Sequence, residues 1–238
     1  MRSRPFIYRC MTAMRPSGFT MTELLIVLAV LSVLAAVVVP LVVQARAKSR
    51  LNLCLANVRQ VNRAVLQFAD EHDQTLPRVD GSPAPGGWWY YKEQVKGYAG
   101  LTGASSANDK VFACPDDRGY GEGAEKARPF CKSKRYVYTS YVFNGVNLPG
   151  IPNISGREVS SITDPSRTLL TMEWVAHAPL SWHRSRTGKA NTPFYNDAES
   201  VAGFVDGRVA FIKIYYDGLN AAYTRDPPPG YNYKYSGN

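Results

Sequence analysis

The sequence predicts an α+β chain. One long N-terminal helix, apolar through its first half and amphipathic through its second, packs on a small antiparallel sheet. Three observations lead there. Residues 19–43 form the apolar run FTMTELLIVLAVLSVLAAVVVPLVV, which holds a single charge, Glu23. Beyond it, Leu51, Leu55, Val58, Val61, Val65 and Phe68 recur at steps of three and four, the period of one helix face. Later runs rich in β-branched and aromatic residues are bounded by Asn-Gly, Asp-Pro-Ser and Asp-Gly turn signals, the pattern of short strands.

The 238 residues suffice for one ordinary domain plus a membrane segment. A composition of 45% hydrophobic and 20% charged residues argues against wholesale disorder. The net charge of +9 is unevenly placed, because Arg2, Arg4, Arg9 and Arg15 all precede Gly18 with no acid among them. Without those four arginines, +9 falls to about +5, ordinary for this size, so the basic balance gives no reason to expect a nucleic-acid partner.

As a helix, residues 19–43 span roughly 37 Å, more than the ~30 Å hydrocarbon core of a bilayer. The basic residues before the run keep its N-terminus cytoplasmic and send the remainder outward. The small residue Gly18 precedes the apolar run, the reverse of a conventional secretory signal. A lone carboxylate in hydrocarbon costs several kcal/mol unless it is neutralised, which makes Glu23 a functional candidate. Pro40 removes a backbone donor, and because the helical pattern resumes after it, a kink is expected there and not a stop.

The stretch Gly18-Phe19-Thr20-Met21-Thr22-Glu23-Leu24-Leu25-Ile26-Val27 resembles the signal of type IV prepilins and of the pseudopilins of type II secretion. That resemblance implies a pilin-like fold and a leader that prepilin peptidase cuts after Gly18, methylating the new amine of Phe19. It makes Glu23 the fifth mature residue, paired with the amine of a neighbouring subunit, and puts Pro40 at mature position 22, where the family often has a kinking proline. It further implies a non-enzymatic filament subunit of a pilus or secretion-like system, a pseudopilin or minor pilin. Its partners would be other pilin or pseudopilin subunits, met through the helix. Its place would be the inner membrane, crossed once, with the head in the periplasm or extracellular space. A second reading is an anchored module that binds polysaccharide or protein through the aromatic run Trp88-Trp89-Tyr90-Tyr91.

The chain accordingly divides into a cleaved leader (1–18), a transmembrane helix (19–43), its amphipathic continuation (44–72), a globular head (73–225) and a tail (226–238). Pro77 closes the helix by disfavouring helix at Leu76, and a Gly- and Pro-rich loop follows at 78–87. Within the head, residues 136–143 read as a strand closed by Asn144-Gly145, and 168–174 as another after Asp164-Pro165-Ser166. Residues 201–212 read as a hairpin in which Asp206-Gly207 forms a two-residue type I′ turn. This turn sets Phe204 beside Val209 and Ala202 beside Phe211. The sequence Asp226-Pro227-Pro228-Pro229-Gly230 predicts a loosely ordered, flexible tail.

The strings FACPDD, SYVFNG, ITDPSRTLLTMEW and FVDGRVAFI resemble a pilin-like family with a His, nine residues and Asp-Gly near its C-terminus. Here Asn196 stands at the His position, and Arg208 follows Asp-Gly where the family often has His. Of the four cysteines, Cys10 falls in the leader. An oxidising compartment permits one disulfide among Cys54, Cys114 and Cys131, and the spacing leaves the pair open. Glu173, His177 and His183 are candidate metal ligands, but their spacing matches no compact zinc motif and Pro179 interrupts them. Asp197, Glu199 and Asp206 have the oxygens for calcium, which some pseudopilins bind in this region, yet read more simply as solvated turn carboxylates. His72 reads as a cation near a helix C-terminus. No catalytic triad or phosphate loop is evident, and no metal or cofactor is expected.

Overall fold

The computed structural model describes residues 18–80, 87–119, 128–177, 181–183, 198–217 and 219–238. The leader up to residue 17, Pro179, Asn196 and Asp197 lie outside the described residues. The chain forms two compact units, residues 1–45 and 46–238. Helix α1, Met21–Asp70, supplies the described structure of the first unit beyond residues 18–20 and continues into the second.

In the first unit α1 is helical through Pro40 without a break, so the sequence pattern outweighs the missing proline N–H. Its apolar side chains are exposed on every side, including Leu24, Leu28, Leu31, Leu34 and Leu41. The helix is long and apolar enough to cross a membrane. A surface apolar all round is stable in hydrocarbon, where water need not be ordered around it and every backbone bond closes within the helix.

The second unit is built on a four-stranded antiparallel sheet. Its strands are β2 (Tyr141–Phe143), β4 (Leu169–Glu173), β5 (Glu199–Phe204) and β6 (Val209–Lys213), in that spatial order. Strands β1 (Val79–Asp80) and β3 (Val146–Asn147) pair in parallel as a separate two-residue ladder. A short helix, α2 (Tyr91–Val95), adds Tyr91 and Val95 to the core.

The outer half of α1 lies on one face of the sheet. Cys54, Val58, Val61 and Val65 are fully buried there, with Leu51, Leu55 and Phe68 at the margins. The buried stripe also contains a polar residue, Asn62. Its amide nitrogen donates to the Phe204 carbonyl at 2.8 Å, and its oxygen accepts from the Thr171 hydroxyl at 2.9 Å. Gly203 makes this approach possible, since a Cβ there would sit 2.5 Å from the Asn62 oxygen. Helix α1 ends at Asp70, and Asp73 and Gln74 turn the chain in left-handed conformation towards Pro77.

Several expectations are corrected by the structure. The strand predicted over 136–143 shortens to β2, because Lys134–Tyr136 forms a 3-10 turn and Val137 and Tyr138 take positive φ. The buried Lys92 ammonium holds them so, donating to both their carbonyls at 2.9 and 3.1 Å. The strand closes before Asn144 as expected, and Asn144 is buried, its amide nitrogen donating to the Leu169 and Tyr235 carbonyls. In the hairpin the register is one residue off the expected one, with Gly203 opposite Val209, Ala202 opposite Ala210 and Val201 opposite Phe211. The loop has three residues, Val205, Asp206 and Gly207. The Gly207 N–H closes a turn onto the Phe204 carbonyl at 3.0 Å, and only Gly207 of Asp206-Gly207 has positive φ, at 87°. This is the type I turn followed by a left-handed glycine, in place of a type I′ turn.

The predicted loose tail is also corrected. Tyr233 and Tyr235 are buried against Val142, Leu169, Met172, Ala202 and Phe204, on the sheet face opposite α1. Lys234 exchanges backbone hydrogen bonds with Arg167 and Leu169. Alternation of Tyr231, Tyr233 and Tyr235 is a period-two signal that outweighs the prolines before it. Both faces of the sheet are therefore covered, which explains why β5 is buried at nearly every position.

Replacing Asn62 with Leu should destabilise the head by about 1–3 kcal/mol, because it strands the buried Thr171 hydroxyl and leaves the Phe204 carbonyl with the Gly207 N–H alone. Denaturant unfolding of the full chain in detergent, followed by tryptophan fluorescence, measures it.

Candidate functional site

Two groups of residues with chemical potential stand out, one in each unit. The first is the start of α1. Thr20 is its N-cap, and the Thr20 backbone N–H and hydroxyl both donate to Glu23 Oε2 at 2.8 Å, while the Glu23 N–H donates back to the Thr20 hydroxyl at 3.2 Å. This is a capping box, in which the two residues satisfy each other's orphan backbone donors. Gly18 and Phe19 precede it in exposed chain outside the helix, so the bond between them is accessible. Thr20 joins Gly18, Phe19 and Glu23 as a functional residue, and its signal in the sequence is the Thr-x-x-Glu spacing of a capping box. Pro40 lies inside the same helix.

The second group lies inside the head. Cys54, from α1, is bonded to Cys114 with Cα atoms 5.2 Å apart, and Cys131 is a buried free thiol. Beside the pair sits Glu173, at the end of β4 with its side chain fully buried. Its Oε2 accepts from the Ser200 hydroxyl at 3.0 Å and the Val201 N–H at 2.9 Å. The His183 ring bridges Glu173 Oε1, 2.7 Å from Nε2, and Asp116 Oδ2, 3.0 Å from Nδ1. Asp116 is held in turn by the Arg50 guanidinium at 2.5 Å. Burial opposes a charged His183, but the Glu173 charge and the hydrogen bonds to both carboxylates prevail and raise its pKa from 6.5 to about 9.

A β-bulge places Glu173 there. The register of β4 against β5 shifts between Leu169 and Thr171. Leu170 joins the α1-side core and Thr171 reaches Asn62 on that same side, so two successive residues face α1. Regular alternation from Leu169 would have turned Glu173 to the opposite face. No sequence pattern marks this bulge, which is why Glu173 and Cys54 could not be linked from the sequence.

The neighbouring Asp117 faces the other way. It accepts from the Gly119 N–H, the Cys131 N–H and the Ser140 hydroxyl, and burial raises its pKa. Burial, with Asp117 close by, pushes the Cys131 thiol up to about 11, so it is a poor nucleophile. The FACPDD string is thus a hub, giving one residue to the disulfide and two acids to opposite sides.

The remaining candidates fall apart. His72 stacks on Phe68 and its Nδ1 lies 2.7 Å from the Phe68 carbonyl, at the helix end as expected. The His177 side chain lies outside what is described. Glu199 sits opposite Lys213 in the hairpin, far in register from the Asp206 turn. Asp206 accepts from the Arg208 N–H at 2.9 Å, and the Arg208 guanidinium lies 3.7 Å from the Phe204 ring centroid. The aromatic run packs largely inward: Trp89 lies 4.6 Å from the Tyr136 and Trp174 rings, Trp88 lies 4.8 Å from Tyr223, and Tyr91 is buried, leaving Tyr90 outward.

Residues 14–39 match the prokaryotic N-terminal methylation motif. No curated protein and no solved structure matches the chain. That motif, the long apolar helix and the small antiparallel sheet fit a type IV pilin-like protein with a single-pass membrane anchor. The motif implies processing by prepilin peptidase and association with other pilins.

The disulfide closes a 60-residue separation, and replacing Cys54 and Cys114 with Ser should cost the head about 2–5 kcal/mol. Non-reducing peptide mapping should find the 54–114 link, with Cys131 alkylated at pH 8 only after unfolding. Alkylation of native Cys131 at the rate of a free thiol would contradict its burial.

Proposed function

We propose that this chain is a non-enzymatic structural subunit, a pseudopilin or minor pilin. It is cut after Gly18, methylated on the Phe19 amine and assembled through α1 into a type IV pilus or type II secretion-like filament. The observation that carries the reading is the methylation motif over residues 14–39, falling on an accessible Gly18-Phe19 bond at the start of a helix that is apolar on all sides. The chain's chemistry is then done to it by the peptidase. The head stands on the periplasmic or extracellular side of the inner membrane, as the basic residues before Gly18 require.

Glu23 has a double duty in this reading. In the single chain its carboxylate caps α1 through Thr20. Cleavage puts an ammonium group on Phe19 of every subunit, and in a filament the Glu23 charge meets the amine of a neighbour within the packed apolar helices, where a charge pair is far less screened than in water. Pro40 leaves the Ala36 carbonyl without its helical donor and gives α1 a place to bend as subunits pack.

Two variants separate these duties. Glu23→Gln keeps an oxygen for the Thr20 N–H and so retains the capping box, while it removes the charge. Glu23→Ala removes both. If charge pairing drives assembly, both variants should be cut at Gly18, remain in the membrane fraction and leave the sheared filament fraction by tenfold or more. Filament incorporation of Glu23→Gln at the wild-type level would refute the pairing role. Intact-mass measurement of cell-derived protein should show a chain that begins at N-methylated Phe19, and Gly18→Val should leave the leader attached.

A further inference from the structure

We propose that Cys54, Cys114, Glu173 and His183 form a thiol-gated site for a divalent cation of the zinc class, open to the ion when the two cysteines are reduced and closed when they are joined. All four residues lie in the second unit, residues 46–238.

One potential ligand atom from each of the four residues lies within 4.8 Å of the others. Two sulfurs, an imidazole nitrogen and a carboxylate oxygen are a donor set suited to tetrahedral zinc. With Zn–S bonds of about 2.3 Å and Zn–N and Zn–O bonds of about 2.0 Å, such donors stand about 3.3–3.8 Å apart, close to the present cluster. His183 is oriented as a metal-bound histidine would be. Its Nδ1 side is taken by Asp116, itself fixed by Arg50, and Nε2 is presented to the cluster, 2.7 Å from Glu173 Oε1 and 3.8 Å from Cys114 Sγ. A carboxylate on the remote ring nitrogen fixes the tautomer and orientation that ligation needs.

Opening the disulfide does not disperse these donors, because each is held by other bonds. Cys54 is fixed in α1, and the Cys114 N–H donates to the Ser140 hydroxyl at 2.9 Å. Glu173 keeps Ser200 and Val201, and the His183 N–H donates to the Ser181 hydroxyl at 3.2 Å. Cys54, Cys114 and Glu173 are buried and the His183 side chain is 3% exposed, which shields the site from competing water.

A dithiol reductant gives two electrons to the Cys54–Cys114 bond and becomes a disulfide itself, and its two protons pass to the two sulfurs. The cation then forms two bonds to sulfur, one to His183 Nε2 and one to Glu173, and displaces the two thiol protons and the Nε2 proton to solvent. The same sulfurs cannot serve a disulfide and a metal together, so the cation and the oxidant compete for them.

The test uses the full chain in detergent, reduced with a phosphine and titrated with Co2+. Reduced wild type should bind one ion per chain with a thiolate-to-cobalt charge-transfer band that Zn2+ abolishes, and the oxidised chain should show no band. Glu173→Gln and His183→Gln should each weaken cobalt binding by at least tenfold, and Asp116→Asn by about tenfold. Cys131→Ser should bind as wild type. Absence of the band in the reduced chain, or binding by folded Glu173→Gln and His183→Gln at wild-type strength, overturns the site. A second measurement needs no variant: Zn2+ should slow alkylation of Cys54 and Cys114 in the reduced wild type, read by peptide mass. Equal alkylation rates with and without Zn2+ would also overturn it.

Discussion

One helix has to be stable in two solvents. From Met21 to about Ala45, α1 offers apolar side chains in every direction; from Arg46 to Asp70 it offers one apolar stripe and otherwise charge and amide. The first pattern needs hydrocarbon around it and the second needs a single partner face with water elsewhere. The sheet supplies that face, and its composition follows from the demand. Gly203 clears space for Asn62, and the bulge in β4 turns Thr171 and Glu173 towards the helix. The C-terminal tyrosines close the other side.

The polar groups within the head follow from the same arrangement. A helix laid flat on a sheet buries whatever its inner stripe carries, so Asn62 must find partners in Phe204 and Thr171, and Cys54 must lie beside Cys114 and Glu173. A buried carboxylate such as Glu173 is costly unless it is hydrogen-bonded and faces positive charge. It has Ser200, Val201 and the His183 ring. Arg50 extends the chain of alternating charge to the surface through Asp116. The disulfide and this network fix the loop after Phe112 to α1, and the Lys92–Asp109 pair at 2.8 Å ties the segment before it to α2.

Much of this was legible in the residues. The apolar run and the three-and-four spacing of Leu51 to Phe68 are long and strongly periodic, so the helix and its change of character near residue 45 could be read directly. The segments at 168–174 and 201–212 carried enough β-branched and aromatic residues to mark β4, β5 and β6. Register was not legible, because Asp-Gly fits both a two-residue and a three-residue loop, and the choice turns on where Val205 and Phe204 are buried. The tail misled because its prolines speak to local backbone, whereas the order of Tyr233 and Tyr235 comes from tertiary burial. Gly18, Phe19 and Glu23 lie in one contiguous stretch within the motif matched at residues 14–39, so the sequence alone singles them out. Glu173, His183, Cys54 and Cys114 are brought together by a bulge and by long-range packing, which no local pattern encodes.

The claim that α1 serves two solvents is tested most directly by water accessibility along it, measured in native membranes with single cysteines placed through residues 24–66 in a chain freed of its own cysteines. The account predicts no reaction with a membrane-impermeant maleimide on any side from 24 to 43, and then a periodic pattern in which positions such as 52, 56, 59 and 63 react while 58, 61 and 65 do not. Periodic reactivity that begins before residue 40, with one side of the apolar run open to water, would contradict it.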